Sequence, residues 1–132
     1  MQSPASSHAT RRAPAAPSGP LDLHAAAGEL LEQAATMAAG RAARTLTPGA
    51  GAPLTQTLMA ILAGRELQEH VAPGPATLQV LTGTGVLTAG EETVELTAGR
   101  WAIIPPRSHG LRADGDLVVL LTVAPHRADS GS

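Results

Sequence analysis

The chain has no cysteine, no tyrosine, no phenylalanine and a single tryptophan, Trp101, among its 132 residues. Without cysteine there are no disulfides, no thiolate nucleophile and no cysteine-ligated zinc or iron–sulfur centre. This composition suits a reducing compartment, and the cytoplasm is the expected location. With one aromatic side chain, the protein has almost nothing to stack on nucleobases. It also lacks a surplus of positive charge: the net charge is −2, so no field draws a polyanion. Nucleic acid is therefore not an expected partner. No apolar run reaches the roughly 18 residues a membrane-spanning helix needs, so no membrane is expected either. The opening stretch "MQSPASSHATRRAPAAPSGP" has no apolar segment of the kind a secretory signal carries. It holds arginine and serine and no acid, as transit peptides do, but its four prolines oppose the amphipathic helix such peptides form. A disordered leader over residues 1–20 is the expectation, with no role for His8.

Apolar residues make up 43% of the chain, enough for one domain with a modest core. That core must be built from leucine, valine, isoleucine and alanine. Residues 21–44 are read as an N-terminal helical segment. Within "LDLHAAAGELLEQAATMAAG", Leu23, Ala27, Leu30, Ala34 and Met37 recur at spacings of four and three, which makes one apolar stripe on a helix. Asp22 is placed to cap its start and Gly40 to end it. Glu29, Glu32 and His24 should face water. A helix so rich in alanine needs a sheet or a partner chain to pack against.

After the breaker-rich "TPGAGAP" at residues 47–53 the pattern turns to short strands. "LTQTLMAIL" alternates weakly and then becomes fully apolar. "RELQEHV" alternates. "ATLQVLTG" puts Leu78 and Val80 on one face, Gln79 and Leu81 on the other. "VLTAGEETVEL" reads as two strands joined by a turn at Ala89-Gly90-Glu91. "RWAIIPP" is stopped by its prolines, "HGLRA" runs to a turn at Asp114-Gly115, and "DLVVLLTVA" reads as a buried strand. Glycine or proline recurs roughly every ten residues, the rhythm of an all-β sandwich or barrel. Closing the sheet disposes of its edges. Residues 45–125 are thus expected to form an all-β barrel, and residues 126–132 a flexible tail. Glycines 83, 90, 99 and 115 are expected at turns that need positive φ. "GTG" at residues 83–85 lacks the lysine and helix of a phosphate loop.

Two stretches resemble the motifs of the cupins, in particular small single-domain bacterial cupins. The first cupin motif is G-x5-H-x-H-x3-E-x6-G. With its last glycine at Gly83, Gly64 is the first glycine and His70 the first histidine. Ala72 then stands at the second histidine and Ala76 at the glutamate. The second motif is G-x5-P-x-G-x2-H-x3-N. With its first glycine at Gly99, Pro105 is the proline, Arg107 replaces the glycine, and His109 supplies the histidine one residue early. The resemblance covers about residues 54–124. It implies a jelly-roll β-barrel of the cupin type with an N-terminal α-helix, and a degenerate metal motif.

In an intact motif the H-x-H pair lies on one face of a strand, and with the glutamate and second-motif histidine it surrounds a divalent ion such as Fe, Mn, Ni or Zn. Here Ala72 and Ala76 cannot ligate. His70 and His109 remain, with Glu66 as a substitute carboxylate if the strand is regular, since it lies four residues before His70. Gln68 shares that face. Arg107, at the barrel mouth, is a candidate for holding a carboxylate or phosphate. The alternatives are structural: His70 as a barrel-lining residue, His109 as a rim residue after the Pro-Pro turn, and Arg107 as a solvated turn residue.

Three functions compete. One is a barrel that binds or senses a small molecule through His70, His109, Arg107 and Gln68, with no firmly implied cofactor. The second is a metal-dependent enzyme of dioxygenase or isomerase type using His70, His109 and Glu66, or a metal-free enzyme in which a histidine acts as general acid or base. The third is a homodimerisation unit, with "LTQTLMAIL" and "DLVVLLTVA" supplying the interface.

Overall fold

The computed structural model describes residues 19–126 apart from 48 and 50. His8, the expected leader as far as residue 18 and the expected tail beyond His126 lie outside the described residues.

Helix α1 spans Leu23–Ala35. The Asp22 carboxylate accepts from the Ala25 N–H at 3.1 Å, the expected cap on an otherwise orphaned donor. The end differs from the expected one. The helix stops at Ala35, and the backbone N–H of Thr36 turns back to the carbonyls of Ala34 and Gln33. Met37 therefore leaves the stripe and is exposed. Gly40, at φ 69°, instead launches a strand that the sequence reading had missed, β1 over Arg41–Thr45. Its short RAART stretch gave little apolar alternation to read.

The other strands are β2 (Thr55–Ile61), β3 (Glu66–His70), β4 (Ala76–Thr82), β5 (Thr84–Ala89), β6 (Glu92–Thr97), β7 (Trp101–Ile103), β8 (His109–Ala113) and β9 (Leu117–Val123). They form two antiparallel sheets, in the order β1-β2-β9-β4-β7 and β3-β8-β5-β6. This is the jelly-roll barrel that the resemblance implies, where the strand pattern alone pointed to a sandwich or barrel.

Between the sheets, Ile61, Leu78, Val80, Leu117 and Val119 from the five-stranded sheet meet Leu87, Leu96, Leu111 and Ala113 from the four-stranded one. On the outer face of the five-stranded sheet, Ala26, Ala27, Leu30 and Ala34 of α1 cover Ala42, Leu58, Ala60 and Val118. Glu29, Glu32 and His24 face solvent, as the stripe demanded.

This layering explains the continuous apolar runs of β2 and β9. Alternate residues face the barrel interior and the helix, so neither face needs polar side chains. It also overturns their expected role in an interface between copies. Both strands are central in their sheet and hydrogen-bonded on both sides, and their faces are covered within the chain. The exposed strand edge of that sheet on the site's side is β7.

Candidate ligand site

The site is built where β3 meets β8. Leu67 pairs with Leu111, and His70 pairs with His109. Three steps along β3 thus match two along β8, a bulge with one extra residue. The bulge reverses the inside–outside alternation. Leu67 faces the barrel interior, Gln68 and Glu69 are exposed, and His70, although exposed as well, lines the mouth of the cavity. The imidazoles of His70 and His109 end with ring centres 4.6 Å apart, tilted by 53°.

Each ring is fixed by the carbonyl two residues before it. His70 Nδ1 lies 3.2 Å from the Gln68 carbonyl oxygen, and His109 Nδ1 lies 3.0 Å from that of Arg107. A carbonyl only accepts, so each Nδ1 carries the hydrogen and donates it. Each Nε2 is left with a lone pair. His109 is 4% exposed, the one buried polar residue among the described residues, whereas His70 sits at the rim. This reverses the structural alternatives: His109 is the deep residue and His70 the outer one.

The two histidines line a cavity of about 70 Å³ whose other walls include Leu67, Leu78, Leu87, Leu111 and Ile104. Ala72 and Ala76 line it too. The two positions that lack ligands therefore do face the interior, and their methyl groups leave it apolar. Beside the cavity, and sharing Ala72, Ala76 and Ile104 with it, runs an open groove of about 650 Å³. Leu54, Val71, Ile103 and Pro106 help to line it, with no Asp, Glu, Lys or Arg in its walls.

The other expected site residues are not brought to this cavity. Glu66 is exposed, pairs with Arg112 across the strands, and does not line the cavity, because the bulge breaks the four-residue spacing that would have aligned it with His70. The Gln68 side chain is exposed for the same reason, and only its carbonyl serves the site. Arg107 turns its guanidinium to Glu92 at the β5–β6 turn and leaves the cavity to its own carbonyl. Ser108 Oγ donates to Glu69 at 3.4 Å, so the loop before β8 is tied to β3 on one side and to the start of β6 on the other. The sequence reading missed the groove. Its signal was a set of large apolar residues at positions that no strand pattern buries: Val71 is 60% exposed and Ile103 65%.

A metal does not fit this donor set. Among the described residues no cluster of three or more His, Asp or Glu side chains is placed to hold an ion. Two imidazoles fall short of the three protein ligands that a catalytic zinc keeps, and no carboxylate reaches them.

The cupin domain family model matches residues 57–124, just over half of the chain. The chain is a cupin. Solved structures agree with this. A conserved protein of unknown function from Streptococcus pyogenes is 26% identical, with 69% of this chain and 79% of that one covered and a TM-score of 0.61. A cupin superfamily protein from Desulfitobacterium hafniense is 18% identical, with 87% of this chain and 99% of that one covered and a TM-score of 0.65. A variant of the salicylate 1,2-dioxygenase from Pseudoaminobacter salicylatoxidans, in complex with gentisate, is 22% identical with a TM-score of 0.69. The match covers 83% of this cupin and only 34% of that enzyme, so the likeness is to one part of a larger chain. No curated protein matches by sequence. Among the described residues, this cupin has no helix long and apolar enough to cross a membrane.

Proposed function

We propose that this cupin binds or senses a small molecule in the cavity between His70 and His109. One observation carries the reading: a buried histidine, with its Nε2 unengaged by any described residue, lines a cavity that is otherwise apolar. Nδ1 of His109 is satisfied by the chain, and no buried side-chain nitrogen or oxygen among the described residues lacks a partner, so its Nε2 is open to the cavity, where a ligand can meet it. Apolar walls with a few placed polar groups are the usual make-up of small-molecule sites.

The test is thermal unfolding of the wild type and of His109→Ala across a panel of small organic compounds. A true ligand at about a hundred times its Kd adds about 2.7 kcal/mol to stability. At least one compound is expected to raise the melting temperature of the wild type by several degrees and to leave the variant unchanged. A panel that moves both proteins equally, or neither, rejects the reading.

The metal-dependent alternative has one observation in its favour, the meeting of two imidazoles within 4.6 Å. It requires metal to copurify near one ion per chain with wild type and to vanish from the His70→Ala/His109→Ala double variant, read by elemental mass spectrometry. A homodimer finds support at the edge strand β7, where Trp101 and Ile103 are both exposed.

A further inference from the structure

The cavity and the groove share Ala72, Ala76 and Ile104 in their walls and offer very different chemistry. Within the cavity, the polar side chains are the two imidazoles. Both Nδ1–H groups are spent on the carbonyls of Gln68 and Arg107, so what the neutral rings turn to a ligand is a pair of acceptors. A ligand group that only accepts, such as an ester or ketone, finds no donor there. An ammonium finds no carboxylate to balance it, in the cavity or along the groove, and would be buried unpaired. A hydroxyl or a carboxylic acid fits, because its O–H donates to Nε2.

The groove sets the rest of the ligand. Three of the large apolar residues that the described chain leaves exposed, Leu54, Val71 and Ile103, line it, and its walls carry no Asp, Glu, Lys or Arg, the polar side chains there being Thr77, Thr122 and His126. At about 650 Å³ it has room for a body that the cavity of about 70 Å³ cannot hold. Resting on the small-molecule reading above, we infer that the ligand is an extended apolar molecule with a single O–H head, a carboxylic acid or an alcohol. Its head lies against His109 and His70, and its body lies along Val71 and Ile103.

Calorimetric titration of the full chain tests this with octanoic acid, 1-octanol, methyl octanoate, octylammonium and acetic acid as probes. The acid or the alcohol binds, and which of the two binds more tightly identifies the head. Methyl octanoate and octylammonium bind at least about tenfold more weakly, the cost of losing a hydrogen bond to the pair or of leaving a charge unpaired. Acetic acid, without a body, binds at least roughly a hundredfold more weakly than octanoic acid. His109→Ala and the rim variant His70→Ala each weaken the best probe about tenfold, and Ile103→Asp does the same from the groove side. The rim variant keeps the test open if the buried one does not fold. Equal binding of acid and methyl ester overturns the head chemistry. Equal binding of acetic and octanoic acid overturns the role of the groove. If no probe binds but some compact compound stabilises the wild type through His109, the inference fails and the small-molecule reading stands. If no probe binds and light scattering shows a dimer that Ile103→Asp dissolves, the groove belongs to a second copy and the inference fails.

Discussion

The two ends of the barrel use their residues in opposite ways. At the end far from the histidines, the backbone itself closes the structure. Gly64 N donates to Ala113 O at 2.8 Å, Ala113 N to Arg65 O at 2.9 Å, and Asp114 N to Thr84 O at 3.0 Å. The Asp116 carboxylate adds a bond from Ala63 N at 2.9 Å. Gly83 sits at φ 90°, and a Cβ there would overlap the carbonyl oxygen of Asp116. At the histidine end the strand bulges, two alanines replace large ligating residues, and large apolar side chains face solvent. Gly74 beside the groove is held as tightly, against the carbonyl of Ala124, as Gly83 is at the closed end. What sets the histidine end apart is the space it encloses, a cavity and an apolar groove, rather than a looser backbone.

The sharpest way to break this contrast is Gly83→Ala. The substitution meets both a steric overlap and a positive φ, which together should cost about 3 kcal/mol or more. Gly90→Ala is the control: it shares a positive φ of 61°, but nothing lies within 4 Å of the added Cβ, so about 1 kcal/mol is expected. Urea unfolding measures both. Similar losses for the two would mean that the closed end is no tighter than an exposed hairpin turn.

The open end is probed by putting back what it lacks. If only the ligands were lost there and the cavity kept its shape, Ala72→His together with Ala76→Glu should create a divalent metal site with His70 and His109. Elemental analysis should then find roughly one ion per chain, against little in the wild type, in keeping with four ligands where two stood before. A folded double variant that takes up no metal would mean that the β3 bulge has reshaped the end as well as emptied it.

How far the sequence made each end legible follows from the same contrast. The closed end is written in residue types with few alternatives. Glycines 64, 83 and 99 adopt positive φ, which few other residues do, whereas Gly115, expected to do the same, does not. The alternation of Leu78 and Val80 against Gln79 likewise survives intact, because its inner face is buried. The open end depends on a register, and registers are set by pairing that a single strand does not display. The regular spacing from Glu66 to His70 promised a shared face. One extra residue between Leu67 and His70 separated Glu66 from the face of His70 and left His70 at the mouth of the cavity. His109, one position off its motif, still faces the cavity because it opens β8 opposite His70. Strand β1 was lost for a different reason: its alternation is carried by alanine and arginine, too weak a signal beside the helix that precedes it.

The smallest effect belongs to Arg107, and it separates what a residue's side chain does from what its backbone does. The guanidinium is 54% exposed and its partner Glu92 74%, and exposed ion pairs of this kind contribute little after side-chain entropy and screening. Arg107→Ala should therefore lower stability by less than about 0.5 kcal/mol in urea unfolding. It should also leave ligand affinity unchanged, because the contact that orients His109 comes from the Arg107 carbonyl, which every residue possesses. A marked loss of binding in Arg107→Ala, with stability intact, would mean that the guanidinium leaves Glu92 to meet the ligand. The mouth of the barrel would then be charged rather than apolar, and the division between a closed end and an open one would need a third element, a side chain that moves between them.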